Sequence, residues 1–347
     1  MKPMSGVKNI TVAPEDDDIR LDRWFKRHYP ELPYGRLEKL LRKGQIRLDG
    51  KRAKANQRIE KGQTVRVPPF GDPDSLKQVD VKEQVHLTQN EIDEVRSWVL
   101  YHDDDVIVIN KPAGLPTQGG TGIKRHLDGL LHALQFEKKD KPRLCHRLDK
   151  DTSGVLVLAR SANAAGVLTK AFKSKDARKL YWALTVKVPS PREGKVFQPI
   201  AKHPSWRGER MVIDADEGQD ARSLYRTIES TGNVAAWVAL EPRTGRTHQL
   251  RVHCAYLKTP IQGDGKYGGQ DAYLTGDGVS KKMHLHARRI QIPSPDGVGL
   301  IDVTAPIPDH MKRSWDFFGF DVNTEDADEL FDLSKKVTAT YKRHDGV

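Results

Sequence analysis

The spacing of apolar residues constrains this chain most. Its clearest apolar runs are short and separated by polar turns, at 106–109, 155–158, 180–186 and 234–240, with a further strand-like stretch at 283–292. Runs of that length, bounded by turn residues, read as strands. Among them only 161–177 and 247–257 suit helices. Strands therefore do not alternate regularly with long helices, which disfavours a doubly wound parallel sheet. A mixed, mostly antiparallel α+β domain is predicted over residues 98–310. No apolar run approaches the roughly 20 residues needed to cross a bilayer, so no membrane partner is expected.

At 347 residues the chain has room for a second compact unit, and charge locates it. Residues 19–67 carry 15 Lys/Arg against 5 Asp/Glu, which is ten of the eleven net positive charges. A concentrated basic patch points to a nucleic-acid partner, the other readings being a solvated surface or attraction to a membrane surface. Leu21, Trp24 and Phe25 have helical spacing, and Leu37, Leu40 and Leu41 form the inner stripe of a second short helix stopped by Gly44. Ile46, Leu48, Val65 and Val67 alternate with charges as strands do, around an Asp49-Gly50 turn. Residues 1–18 are expected to be disordered, 68–97 to be a linker, and 311–347 to be a C-terminal extension, an appended helix or a flexible end, with an acidic run at 325–332. The first residues lack an apolar core and include an acidic cluster at 15–18, so neither a secretory signal nor a mitochondrial presequence is expected. Two cysteines, Cys145 and Cys254, argue against a disulfide framework, and the cytoplasm is the natural compartment.

The most informative stretch is a charged turn at 146–154 that leads into the strand at 155–159. It reads His146, Arg147, Leu148, Asp149, two further residues, then Thr152, Ser153 and Gly154. Loops held by a rigid strand commonly carry catalytic groups, but an Asp here also suits a helix cap or a salt bridge. The pattern matches the signature of the RluA family of pseudouridine synthases, and the chain resembles that family from about residue 98 to 307. Matching pieces are Asn110 to Gly114, Lys179 to Ala183, Gly245 to His253, and Gly263 to Gly268.

The resemblance implies the pseudouridine synthase fold and an isomerase that breaks the ribose C1′–N1 bond of uridine and rejoins C1′ to C5. That exchange is redox-neutral, so no metal, nucleotide or organic cofactor is implied. Asp149 falls on the catalytic aspartate, which acts as nucleophile or base. Arg251 falls on the arginine that pairs with it; arginine keeps its charge and offers a planar fork. Tyr181 falls on the active-site tyrosine, whose ring can stack on uracil and whose hydroxyl is a candidate to take the C5 proton. Arg147 falls on the arginine that helps hold RNA once the base has left the stack. Lys111 and Arg246 are candidates for phosphate contacts.

Residues 19–67 resemble the alpha-L RNA-binding domain of the ribosomal-protein S-four type. Arg36, Lys39, Arg42 and Lys43, continued by Arg47, Lys51 and Arg52, are the residues expected to face folded RNA. This pairing of domains, with Thr117 to Gly122, is most similar to the RluC-type branch. It implies large-subunit ribosomal RNA and a place in ribosome biogenesis. A monomer is expected, since nothing demands an oligomer. Other signals are weaker. The glycines at 119–122 lack the Gly-Lys-Ser/Thr ending of a phosphate loop. His248, His253, His284 and His286 lack metal-site spacing, and Cys145 beside His146 reads as packing. A non-catalytic RNA-binding protein would be expected to lose one of Asp149, Tyr181 and Arg251. A base-removing glycosylase would release free uracil.

Overall fold

The computed structural model describes residues 6–69, 87–120, 122–205, 208–331 and 340–341. The chain divides into two compact units, Met1–His86 and Leu87–Val347.

The first unit comprises β1 (Lys8–Thr11), β2 (Ile19–Arg20), α1 (Leu21–His28), α2 (Tyr34–Arg42), β3 (Arg47–Leu48), β4 (Lys51–Arg52), β5 (Arg58–Ile59) and β6 (Thr64–Val67). Leu21, Trp24 and Phe25 of α1 and Leu37 and Leu41 of α2 pack with Ile46, Val65 and Val67 into one core. On α2, Lys39, Arg42 and Lys43 are exposed at i, i+3 and i+4, and so share a face. Arg47, Lys51 and Arg52 are exposed on the adjoining hairpin, whereas Arg36 is half-buried.

Disorder over residues 1–18 does not hold for the described part. β1 pairs antiparallel with β6, placing Ile10 opposite Val65. Val12 joins the core, and buried Asp16 takes hydrogen bonds from Arg27 and His28. Two alternating apolar residues are a weak sequence signal; the strand forms because β6 supplies its ladder.

The second unit opens on α3 (Gln89–Ser97), inside the expected linker, of which residues 70–86 lie outside the described residues. Thr88 and Glu91 cap it reciprocally, and Val95 anchors it. Then come β7 (Val99–His102), β8 (Val106–Lys111), β9 (Arg143–Leu144), β10 (Ser153–Ala159), α4 (Ala162–Ser174), β11 (Arg178–Val186), β12 (Glu193–Phe197), β13 (Ile200–Ser205), β14 (Gly208–Ile213), β15 (Arg222–Thr231) and β16 (Ala235–Pro242). The chain continues through α5 (Gln249–Tyr256), β17 (Leu285–Pro293), β18 (Leu300–Thr304), α6 (Asp309–Phe318) and β19 (Thr340–Tyr341). The main sheet runs β19-β12-β15-β16-β11-β17-β10-β8-β7, with β18 beside β17 and β9 beside β10. Its neighbours are antiparallel except at β10–β17 and β12–β19. The fold is thus mixed α+β with a mostly antiparallel sheet. β13 and β14 form a separate hairpin.

Both faces of the sheet are covered. On β8, Val106 and Val108 face Ala164 and Leu168 of α4, while Ile107 and Ile109 face Leu127, Leu131 and Leu134. Strand alternation delivers this two-sided burial and explains why these strands read as continuous apolar runs. Residues 311–331 are not an appendage. Met311 and Trp315 of α6 are fully buried against Trp182 and Trp237, and Trp182 Nε1 donates to Ala327 O at 3.0 Å. Asp328, in the acidic run, forms a two-pronged pair with Arg288 at 2.6 Å. The sheet needs this cover for its tryptophans, a requirement that local composition does not reveal.

Candidate active site

The turn before β10 is fastened at nearly every signature residue. His146 Nε2 accepts the Val157 N–H at 2.8 Å, and its ring packs on Phe172. Burial pushes this imidazole down to about 3, so it stays neutral and serves as a pin. Leu148 enters the core, and its backbone N–H and C=O both bond Thr117 Oγ1, at 3.2 and 2.6 Å. Ser153 Oγ donates to His286 Nδ1 at 2.9 Å, since His286 Nε2 faces the Ala305 carbonyl. Gly154 has φ +109°, and a Cβ there would stand 2.2 Å from Ala287 O, where β10 begins against β17. Only glycine allows that approach.

With its neighbours fastened, Asp149 projects into a cavity of about 370 Å³, its side chain 21% exposed. That volume suits a small ligand or a single base. Arg251, on the first turn of α5, reaches it: Nη1 lies 3.6 Å from Asp149 Oδ2. The guanidinium is held elsewhere, by a fork to the buried Asp264 at 2.8 and 2.7 Å. It also lies 5.0 Å from the centre of the Tyr267 ring. Asp264 thus fixes the cation that faces Asp149. Its anchor is Gly263, at φ +81°, whose Cβ position is 2.2 Å from Lys282 O.

A second approach to Asp149 comes from His248, which sits in a left-handed conformation just before α5. Its Nε2 is 3.8 Å from Asp149 Oδ1, and its Nδ1 is 2.6 Å from Tyr267 Oη. Tyr267 Oη already accepts the Met211 N–H, at 3.3 Å. The network therefore has Tyr267 donating to Nδ1 and leaves the ring proton on Nε2, facing Asp149. Burial pushes His248 down while Asp149 pulls it up. Asp264, His248 and Tyr267 had no role in the sequence reading, although all three lie in its matching stretches.

Tyr181, on β11, lines the same cavity. Burial, reinforced by the Asp149 charge, pushes its phenol up, so it stays protonated. Arg147 and Arg246 also line the cavity and are exposed. Arg246 is held by the Asp220 carbonyl and Gln219 at 2.9 Å each, while Arg147 has no hydrogen-bond partner among the described residues. Lys111 is a correction. It is fully buried, and Nζ donates to the carbonyls of Pro112, Leu115 and Lys150 at 2.9, 2.9 and 3.2 Å. Burial pushes it down to about 8. Lys111 therefore braces the turn from beneath and cannot reach a phosphate. The remaining histidines have separate partners: His253 meets Ser223 and Gln198, and His284 meets Lys282 and Ser314. Among the described residues no three His, Cys, Asp or Glu are grouped to hold a metal, and no helix is long and apolar enough to cross a membrane.

Known proteins resemble this chain. The family model described as RNA pseudouridylate synthase matches residues 105–256. The chain is 34% identical to RNA pseudouridine synthase 4, mitochondrial, of Arabidopsis thaliana, over 93% of this chain and 84% of that one. It is 35% identical to ribosomal large subunit pseudouridine synthase C of Rickettsia typhi, over 85% and 96%. Among solved structures, human RNA pseudouridylate synthase domain containing 4 superposes with a TM-score of 0.56 at 30% identity, over 66% of this chain and 95% of that one.

Proposed function

The chain belongs to the RluA family of pseudouridine synthases, and from that membership we propose that it isomerises uridine in large-subunit ribosomal RNA with Asp149 as its catalytic carboxylate. The observation that carries the assignment is the convergence of Asp149, Arg251 and Tyr181, from three separate parts of the sequence, on one cavity. In the reaction the C1′–N1 bond breaks, the base turns, and C1′ bonds to C5. C5 gives up its proton and N1 gains one. Asp149 is suited to attack or to remove a proton because Arg251 balances its charge without quenching it: the fork goes to Asp264, and one nitrogen remains for Asp149. Tyr181 supplies a ring for the base. Its phenol, held neutral, is better suited to stacking than to taking a proton.

The substrate class rests on the Rickettsia relative, named for the large ribosomal subunit, and on the exposed cations of the first unit. Arg147, exposed on the cavity lining and without a hydrogen-bond partner among the described residues, suits the strand whose base has left the stack. The reading takes the enzyme as a cytoplasmic monomer. Its two unpaired cysteines fit a reducing compartment, and light scattering and cell fractionation check both points. The test of substrate is tritium release from uridine C5, with large-subunit ribosomal RNA and transfer RNA compared. Release from the ribosomal RNA alone is expected. Release from transfer RNA alone would move the substrate to that class.

A further inference from the structure

Beside the catalytic cavity lies a second hollow of about 280 Å³, and the two share Phe172, Lys173, Lys179 and Arg246 as walls. Lys175 and Arg243 complete its charged lining, and among the described residues no carboxylate lines it. Lys179 lines the catalytic cavity together with Tyr181, two residues and about 7 Å along β11. Lys179 Nζ has no hydrogen-bond acceptor or ion-pair partner among the described residues; its recorded neighbour is the Phe172 ring, at 5.9 Å. The negative charge that acts on Lys179 is that of Glu241, which is already committed to Arg178, Arg243 and the Phe331 N–H. Burial pushes the Lys179 ammonium down, Glu241 partly restores it, and Arg243 opposes it. Lys179 is half-buried, and a cation held partly out of water without a partner gains from a ligand that brings the anion. Lys175 adds a further sign. It closes α4 at φ +71°, a left-handed position that favours glycine, and places a charge at the hollow.

We propose that Lys179, with Arg243, Lys173 and Lys175, holds the phosphodiester next to the extruded uridine, so that the RNA strand leaves the catalytic cavity through this second hollow. The inference rests on the isomerase reading: a base seated at Tyr181 carries its flanking phosphates within one nucleotide, which is the reach of Lys179. The hollow thereby sets how the strand is held, separately from the chemistry at Asp149.

The test compares the full-length protein with Lys179→Met, Lys179→Arg and the surface double variant Lys173→Ala/Lys175→Ala. The probe is a large-subunit ribosomal RNA fragment tritiated at uridine C5. Lys179→Met is expected to raise KM about tenfold and to lower the slope of log Kd against log salt by about 0.7 for the phosphate lost. Lys179→Arg should restore both, and the double variant should shift the salt slope in the same direction. A salt slope at the wild-type value in the double variant would overturn the proposal, whether or not Lys179→Met folds. So would a Lys179→Met loss confined to kcat, which would put the lysine on the base. Wild-type protein that binds this RNA without releasing tritium would count against the isomerase reading, and the binding slopes would still decide the phosphate site.

Discussion

Arg251 divides its guanidinium between two carboxylates, and the division sets what each can do. Asp264 takes the fork and becomes structural; Asp149 takes a single longer contact and stays available. Tyr267 governs the other flank, through its bond to His248 and its acceptance of the Met211 N–H. Tyr267→Phe keeps the ring over Arg251 but removes both bonds, freeing the His248 ring to turn. Single-turnover tritium release is expected to slow about tenfold, equal to about 1.4 kcal/mol of barrier, with the melting temperature little changed. An unchanged rate would show that this pair does not position Asp149. Asp149, Tyr181 and Arg251 were singled out in sequence because each falls on a matching piece of the family pattern, that around Asp149 being the long and specific one. Their supports were not, because His248 bonds Tyr267 nineteen residues away and Asp264 meets Arg251 only once α5 has packed. Lys111 misled for the complementary reason: a lysine's charge is visible in sequence, but the three carbonyls that enclose it are assembled by the fold.

At the level of elements, β10 joins fold to chemistry. Its first residues touch β17 in the parallel sense, and the turn before it carries Asp149. Gly154→Ala would drive a Cβ into Ala287 O at a backbone angle that L residues rarely adopt. We expect a loss of about 3 kcal/mol or more in denaturant unfolding, with activity falling in parallel. A variant as stable as wild type would mean that the strand pair can shift without harm. The strands were legible because burial on both faces leaves short continuous apolar runs in the sequence, and β8, β10 and β11 lie where those runs place them. The helix Gln89–Ser97 was not, because Val95 is its one buried residue and the rest reads as a polar linker. The tail after residue 310 reads as an appended helix or a flexible end, so the docking of the helix Asp309–Phe318 into the core was not legible. Its stripe of Met311 and Trp315 is short, and its partners Trp182 and Trp237 are distant in sequence.

At the scale of the whole molecule, two units with separate cores divide the work. The first carries a dense set of exposed cations, and the second carries the carboxylate and its cavity. Because residues 87–347 have their own core clusters, removing residues 1–86 should leave a folded domain that binds RNA more weakly, with a flatter salt dependence. A full salt slope in the truncated protein would assign the grip to the catalytic unit alone. Charge distribution made the basic unit visible in sequence, while the cavity became visible only when three distant motifs met. The central claim is that the Asp149 carboxylate performs the isomerisation, and one paired assay tests it. Wild type and Asp149→Ala are incubated, without added metal or cofactor, with large-subunit ribosomal RNA tritiated at uridine C5, and RNA binding is measured alongside. The account predicts tritium release by the wild type and none by the variant, with binding retained. Normal release by a folded Asp149→Ala protein would contradict it.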